Sequence, residues 1–300
     1  MTPPTALSSN QAGPRLRQSA HEHAAALPPL LAEAQHLAAS VVMGTHGRRQ
    51  AGSGEEFWQF RPAVQGDAWR SVDWRRSARS DAHFIRQQEW QAAQSVLFWI
   101  DGAQSMGFSG DKSRPTKAAR ASLIGLAAAI LLMRAGERVG LMEDADPPRA
   151  GQTQIDRLVA QLGARQVDAD YGLPPNRIFP RGSRAVFLSD FLGDWPSIRD
   201  MLAKSADRGV TGALVQVLDP VEEVFPYDGR TEFQSMSGAI RFETLRARGL
   251  KQAYLDQLAA RKAEIADICK STGWRYLCHH TGDSPQPCLM WLYSVLEQER

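Results

Sequence analysis

Three apolar runs that each end in aspartate constrain this chain most: "SVLFWID" (95–101), "RAVFLSD" (184–190) and "TGALVQVLD" (211–219). A strand with one wet face alternates apolar and polar residues, whereas an unbroken apolar run suits a strand buried on both faces, as in a parallel sheet covered by helices. The intervening segments read as the crossovers such a sheet needs. Helices are predicted at about 114–135, stopped by Gly136, over "QIDRLVAQL" (154–162), over "WPSIRDMLAKSADRG" (195–209) with Pro196 in its first turn, at about 250–271 and at about 286–298. "RVGLME" and "WRYLCHH" supply two further strands, and 231–244 reads as a hairpin turning at Ser237-Gly238. Strands alternating with helices give an open, mostly parallel α/β sheet with helices on both faces.

The first 94 residues read differently. Residues 1–17 are rich in Pro, Ser and Thr and are expected to be a disordered tail. A helix is expected over Ser19–Val42, with Leu30, Leu31, Ala34 and Leu37 at helical spacing and Pro28-Pro29 breaking or kinking it near the start. Gly44, Gly47, Gly52 and Gly54 mark a loop. "EEFWQFR" (55–61) and 82–90 then read as strands, Phe57 and Gln59 on one face of the first and Trp58 and Phe60 on the other. The expected organisation is a tail (1–17), an N-terminal helix with a β-rich segment (18–94), and the α/β domain (95–300).

Composition narrows the function classes. A formal net charge of +2 gives no whole-chain attraction to nucleic acid. Cys269, Cys278 and Cys288 are an odd, sparse set, which fits a reducing cytoplasmic setting better than a disulfide framework. Residues 1–20 lack the apolar stretch of a secretion signal, and the longest apolar run, 121–133, is shorter than the roughly 18 residues a span needs. No transmembrane segment is expected, which leaves room for a membrane-associated partner.

Ligands of open α/β sheets bind beyond the carboxyl ends of the strands. There "WIDGAQSM" places Asp101, Ala103 and Ser105 at alternate positions, and "FLSDF" places Ser189 and Asp190. The arrangement resembles the metal-ion-dependent adhesion site of von Willebrand factor A-like domains, Asp-x-Ser-x-Ser plus a Thr and an Asp from later loops. That resemblance implies Mg²⁺ held by Asp101, Ser105 and Asp190, a hard ion served by oxygens and water. Ala103 offers no oxygen where the motif has its first Ser, and Thr153 is the only candidate for the Thr. The competing reading is that Asp101 and Asp190 cap neighbouring turns and helices.

Upstream, "FRPAVQGDAWRSVDWRRSAR", "IRQQEW" and "VLFWIDGAQSM" together resemble the bacterial domain of unknown function 58 family. Gly66, Asp67, Arg70, Asp73, Trp74, Ser77, Ala78 and Arg79 match its pattern, while Ala63, Val72 and Arg75 stand where Tyr, Ile and Lys are usual. The resemblance spans about 44–195 well. It implies a von Willebrand factor A-like (Rossmann-like) fold and a partnership with a MoxR-type AAA+ ATPase, the class encoded beside members of this family. It implies no enzymatic activity.

Within that stretch Asp67, Arg70, Asp73 and Arg76 recur every three residues, so opposite charges are neighbours on a helical turn. One reading is an internal clasp holding 44–94 onto the sheet, with Trp69 and Trp74 over the pairs. The other turns Arg70, Arg75, Arg76 or Arg79 toward a partner's acids. Residues 61–86 hold six arginines against three aspartates, and the interleaved acids weaken a nucleic-acid reading. No phosphate-binding Gly-x-x-x-x-Gly-Lys-Ser/Thr loop and no Gly-x-Ser-x-Gly elbow is present. Cys278, His279, His280 and Cys288 lack the paired short spacing of a zinc site and read as a strand and helix with core cysteine and histidine.

The expectation is therefore a non-enzymatic adaptor that works with a MoxR-type ATPase and an unknown client protein, docking through an incomplete adhesion site. The alternatives are a metal-assisted hydrolase using the same acids and a nucleic-acid binder using 61–86.

Overall fold

The computed structural model describes residues 29–41, 48–52, 56–64, 72–78, 83–165, 168–177, 179–236, 238 and 241–297, with side chains for all but 48–52, 56–61, 76 and 86–92. The tail and the first part of the predicted N-terminal helix lie outside these residues. The rest of that helix is α1 (29–39), which buries Ala34, Leu37 and Ala38.

The centre is a five-stranded sheet. Its strands are β4 (Ser95–Ile100), β5 (Arg138–Leu141), β6 (Arg184–Ser189), β7 (Thr211–Leu218) and β10 (Arg275–His280), in the order β10-β7-β6-β4-β5 and paired parallel throughout. The three apolar runs are the three inner strands, and their second faces explain why they do not alternate with polar residues. Phe98, Ile100, Val186, Leu188, Val215 and Val217 face one core. That core is filled by α3 (Lys117–Arg134), α4 (Gln152–Ala164) and α8 (Pro285–Glu297), with α1 against it. Leu97, Trp99, Phe187 and Leu214 face the other core with α5 (Trp195–Asp207) and α7 (Lys251–Thr272). The helix read at 114–135 starts at Lys117, because Pro115 keeps its predecessor extended and the Thr116 side chain accepts the Ala119 N–H at 3.1 Å as N-cap.

Two smaller sheets flank this centre. β1 (Arg48–Gly52), β2 (Glu56–Pro62) and β3 (Phe84–Ala92) form an antiparallel sheet in the order β1-β3-β2. Some of the predicted glycine loop is thus a strand, because pairing with β3 outweighs the weak local propensity of "RRQAG". The β2 register shifts between Phe57 and Gln59, so the alternation read for "EEFWQFR" does not run unbroken. β8 (Thr231–Gln234) and β9 (Arg241–Thr244) make the predicted hairpin, with Gly238 at φ 77° in its turn. A helix not expected from the sequence, α6 (Pro220–Val224), directly follows β7.

Between β6 and β7 the backbones pass so closely that a Cβ built on Gly212 would lie 1.7 Å from the Ala185 carbonyl oxygen. A Gly212→Ala substitution must push these central strands apart. It is expected to lose about 1–3 kcal/mol, with a fall of about 2–4 °C in melting temperature for each kcal/mol, measured by thermal unfolding.

Candidate functional site at the switch point of the sheet

The chain leaves β4 for β5 on one side and reaches β6, β7 and β10 on the other, so the order reverses between β4 and β6. That crevice is where open α/β sheets place ligands. Asp101 and Asp190 stand at its two lips, both buried, with Asp219 one strand further along.

Each strand-end acid has different partners. Asp101 accepts the Ala103 N–H at 2.8 Å through Oδ1 and the Ser189 hydroxyl at 2.7 Å through Oδ2. Asp190 accepts the Leu192 N–H at 3.1 Å through Oδ1, while its Oδ2 lies 2.9 Å from the Lys117 ammonium. Asp219 accepts the Val221 N–H, the Thr281 hydroxyl and two Arg114 nitrogens, at 2.9–3.3 Å. The capping reading of Asp101 and Asp190 thus describes their turn contacts correctly, but not the cation beside Asp190.

Lys117 was not a candidate in the sequence, yet its side chain is 1% exposed at the first position of α3. Its Nζ also lies 2.7 Å from Glu222 Oε1, and the Phe108 ring centroid is 5.8 Å away. Glu222 belongs to α6, where Asp219 and Glu222 form a capping box and the second Glu222 oxygen accepts the Asp219 N–H at 2.8 Å. The signal for Glu222 was present in "DPVEE", an Asp, a proline at the first helical position and a glutamate at the third. Lys117 gave none, since a lysine at the start of an apolar helix ordinarily points to water.

Burial pushes the Asp101 carboxyl above its ordinary 3.8, against the pull of the Ser189 hydroxyl and the Ala103 N–H, and the Asp190 charge adds to the rise. Burial also lifts Glu222 despite Lys117. For Lys117, burial alone would lower the ammonium's pKa, but the Asp190 and Glu222 carboxylates hold it above 10.5. The lysine is therefore a fixed internal cation at neutral pH.

The loop that closes over Asp101 is 168–172, not the one carrying Thr153. The Gln104 and Ser105 N–H groups donate to the Ala169 and Asp170 carbonyls at 3.0 and 2.8 Å. A Cβ on Gly172 would lie 2.1 Å from Asp101 Oδ1. Thr153 is exposed on the first turn of α4. The Ser105 hydroxyl is buried without a hydrogen-bond partner among the described residues.

This donor set does not suit Mg²⁺. All four carboxylate oxygens of Asp101 and Asp190 already hold an N–H, O–H or ammonium donor, Ala103 adds no oxygen, and Lys117 brings a charged –NH₃⁺ against Asp190. Each oxygen keeps a second lone pair, but the Lys117 ammonium already supplies the positive charge beside Asp190, and a set lacking the motif's first Ser offers few oxygens to an ion wanting about six at about 2.1 Å.

Beside the cluster opens an apolar hollow of about 310 Å³, whose lining includes Phe108, Glu222, Phe225, Tyr227, Phe233 and Tyr254. Phe225 is its keystone, with ring centroids of Tyr254, Tyr227 and Phe233 at 5.1, 5.2 and 5.7 Å. Its backbone is left-handed, φ 44°, at the end of α6. Tyr171 and Met236, 44% and 48% exposed, stand at the same end of the sheet, where Tyr171 packs by Gly193 and Met236 by Gly107.

Of the arginine-rich stretch, Asp67, Arg70 and Arg79 lie outside the described residues, as does the Arg76 side chain. What is described is held by backbone and hydroxyl contacts. Val72 bridges to Ile85 and both are buried. The Asp73 N–H donates to the Phe84 carbonyl, and the buried Ser77 hydroxyl donates to the Asp73 carbonyl and accepts the Phe84 N–H. Trp74 is 54% exposed with its ring edge-on to His83 at 5.6 Å, and Arg75 is exposed. Each charge pair of the clasp reading includes a side chain outside those described.

Two outcomes follow from these charges. Lys117→Met leaves Asp190 and Glu222 buried without their cation and is expected to cost about 3–5 kcal/mol in denaturant unfolding. Asp101 has a raised native pKa, so between 3.8 and that value the native state holds more protons than the unfolded chain, and this carboxyl's contribution to stability falls as pH rises. Asp101→Asn lacks that component, so its stability relative to the wild type is expected to increase as pH rises from about 4 in urea titrations.

Comparison with curated proteins and with solved structures returns no match. A family model matches residues 59–264, a range that takes in α2 (Trp74–Ser77), all three inner strands with their terminal acids, Lys117, α6 and the hairpin. On that match the chain belongs to the family described as protein of unknown function DUF58.

Proposed function

We propose that this chain is a non-enzymatic docking module that receives a partner protein at the carboxyl end of its parallel sheet, and that its fold is the von Willebrand factor A-like variant of the open α/β sheet. The observation that carries the reading is the contrast between a sealed charge cluster and an open aromatic hollow beside it. Asp101, Asp190 and Lys117 are each 3% exposed or less; Asp101 is engaged by the Ser189 hydroxyl and the Ala103 N–H, Asp190 by Lys117 and the Leu192 N–H, and Lys117 by Asp190 and Glu222. Groups so occupied are poorly placed to activate water or bind a substrate, which counts against the hydrolase alternative. The hollow with Tyr171 and Met236 offers what a partner's anchoring side chain takes up, aromatic and apolar surface with polar groups at its edge.

In this reading the adhesion site works without Mg²⁺, Lys117 supplying the positive charge from within. The partner class follows from the family resemblance: a MoxR-type AAA+ ATPase, for which this module presents a client. The acids interleaved with the arginines in the sequence of 61–86 make nucleic acid the weaker alternative.

The test is capture of partners from a cell lysate on the immobilised chain, with and without ATP. Recovery of an AAA+ ATPase in one nucleotide state is expected, reduced at least tenfold, about 1.4 kcal/mol, by Tyr171→Asp or Met236→Asp. Recovery of no such ATPase in either state would sink the adaptor reading. Turnover in a phosphatase, nuclease and peptidase panel that disappears in Asp190→Ala would establish the hydrolase instead.

A further inference from the structure

The cysteines and histidines near the end of the chain do not form one group, because β10 sends them to opposite faces. His279 points into the core under α3 and α8. There it lies 3.4 Å from Arg120, and burial first, then the Arg120 charge, pull its pKa down to about 4. Cys288 is buried in the same core. Cys278 and His280 face the other way and meet a residue no spacing rule in the sequence pointed to, Glu223 of α6. The Glu223 carboxylate is 2.8 Å from His280 Nε2, and the ligand atoms of Glu223, Cys278 and His280 all lie within 4.8 Å of one another. Behind the ring, Asp283 Oδ2 is 3.5 Å from His280 Nδ1.

We propose that Glu223, Cys278 and His280 form a binding site for one divalent metal ion of the zinc class. A thiolate, an imidazole and a single carboxylate are donors that zinc accepts, and the sulfur disfavours Mg²⁺ and Ca²⁺. At bond lengths of about 2.0–2.3 Å, donors around a tetrahedral zinc stand roughly 3.3–3.8 Å apart, so this set closes by on the order of 1 Å. Asp283 supplies the outer carboxylate that ligating histidines commonly have. On metal binding at Nε2 it is placed to accept a hydrogen bond from the Nδ1 proton. Three protein donors leave the fourth position to water.

Lys262 of α7 sets the conditions for binding. Its ammonium contacts Glu223 and hydrogen-bonds Cys278, so it occupies the cluster without metal. Its side chain is 28% exposed on a flexible stem, so an arriving ion can turn it out to solvent. Zinc takes cysteine as the thiolate, so binding releases the thiol proton as the metal–sulfur bond forms. The site is separate from the Asp101–Asp190 crevice and does not rest on the docking reading.

The test uses the full-length chain stripped with a chelator. Zn²⁺ is titrated in competition with a chromophoric chelator, and Co²⁺ binding is followed by absorbance. One Zn²⁺ per chain is expected beyond the level of Cys278→Ser, weakened tenfold or more in Cys278→Ser and in His280→Ala. Co²⁺ should give a near-ultraviolet thiolate charge-transfer band that Cys278→Ser abolishes. Lys262→Met should bind Zn²⁺ more tightly than wild type, a gain that misfolding cannot imitate. Equal Zn²⁺ binding by wild type, Cys278→Ser and Lys262→Met, with no thiolate band, would overturn the proposal.

Discussion

A lysine ammonium buried at the mouth of a parallel sheet organises this end of the molecule. Taking that charge out of water costs several kcal/mol unless acids come with it. The chain brings two from distant places, Asp190 from the end of β6 and Glu222 from α6, at 2.9 and 2.7 Å. Meeting that requirement fixes the start of α3, the exit of β6 and the helix after β7 relative to one another. The first turn of α3 is pinned from both sides, by the Thr116 cap and by the Lys117 side chain. A divalent ion would bring the same acids together, but it would also need vacant oxygens and exchangeable water. The ammonium needs neither, and its site can be sealed.

The sequence made the architecture legible because the relevant signals were local. An apolar run of five or six residues ending in aspartate carries its own evidence of burial on both faces, and Pro196 and Gly136 punctuate helices where they start and stop. Asp101 and Asp190 were likewise found by position, since strand ends in such sheets are where ligands gather. Asp101's carboxylate is nevertheless committed to a neighbouring amide and a hydroxyl, which depends on Ser189 and on a loop about seventy residues along the chain. Lys117 and Glu222 were invisible as a pair because nothing local links positions 105 residues apart. Glu223 shows the same limit, since its meeting with Cys278 and His280 is made by the parallel register of β7 and β10.

Backbone strain gathers at the same end of the sheet. The non-glycine residues with positive φ among the described residues are Phe191, immediately after Asp190, and Phe225, at the end of α6. Such conformations cost of order 1–3 kcal/mol each and persist only where surrounding packing over-determines them. Phe191 is held by a ring contact with Trp99 and by Arg261 donating to its carbonyl at 2.6 Å, Phe225 by three aromatic neighbours. In both places the bend carries the chain away from a strand or helix end while leaving the acid behind it aimed inward.

The proposed docking role sets recognition over chemistry at the crevice. A catalytic carboxylate works by changing its partners during a reaction, and so needs a free lone pair or a proton to exchange. The acids here have partners that are themselves buried and tied to the backbone, so exchanging them would unmake the ends of β4 and β6. The surface left exposed above them is aromatic and apolar, framed by the β8–β9 hairpin and by Tyr171. Its hollow gains from being filled and loses nothing that the folded chain requires, because the rings that line it already pack on one another. In the proposed docking role, the desolvated charge cluster would fix the strand ends and the aromatic surface would supply the affinity.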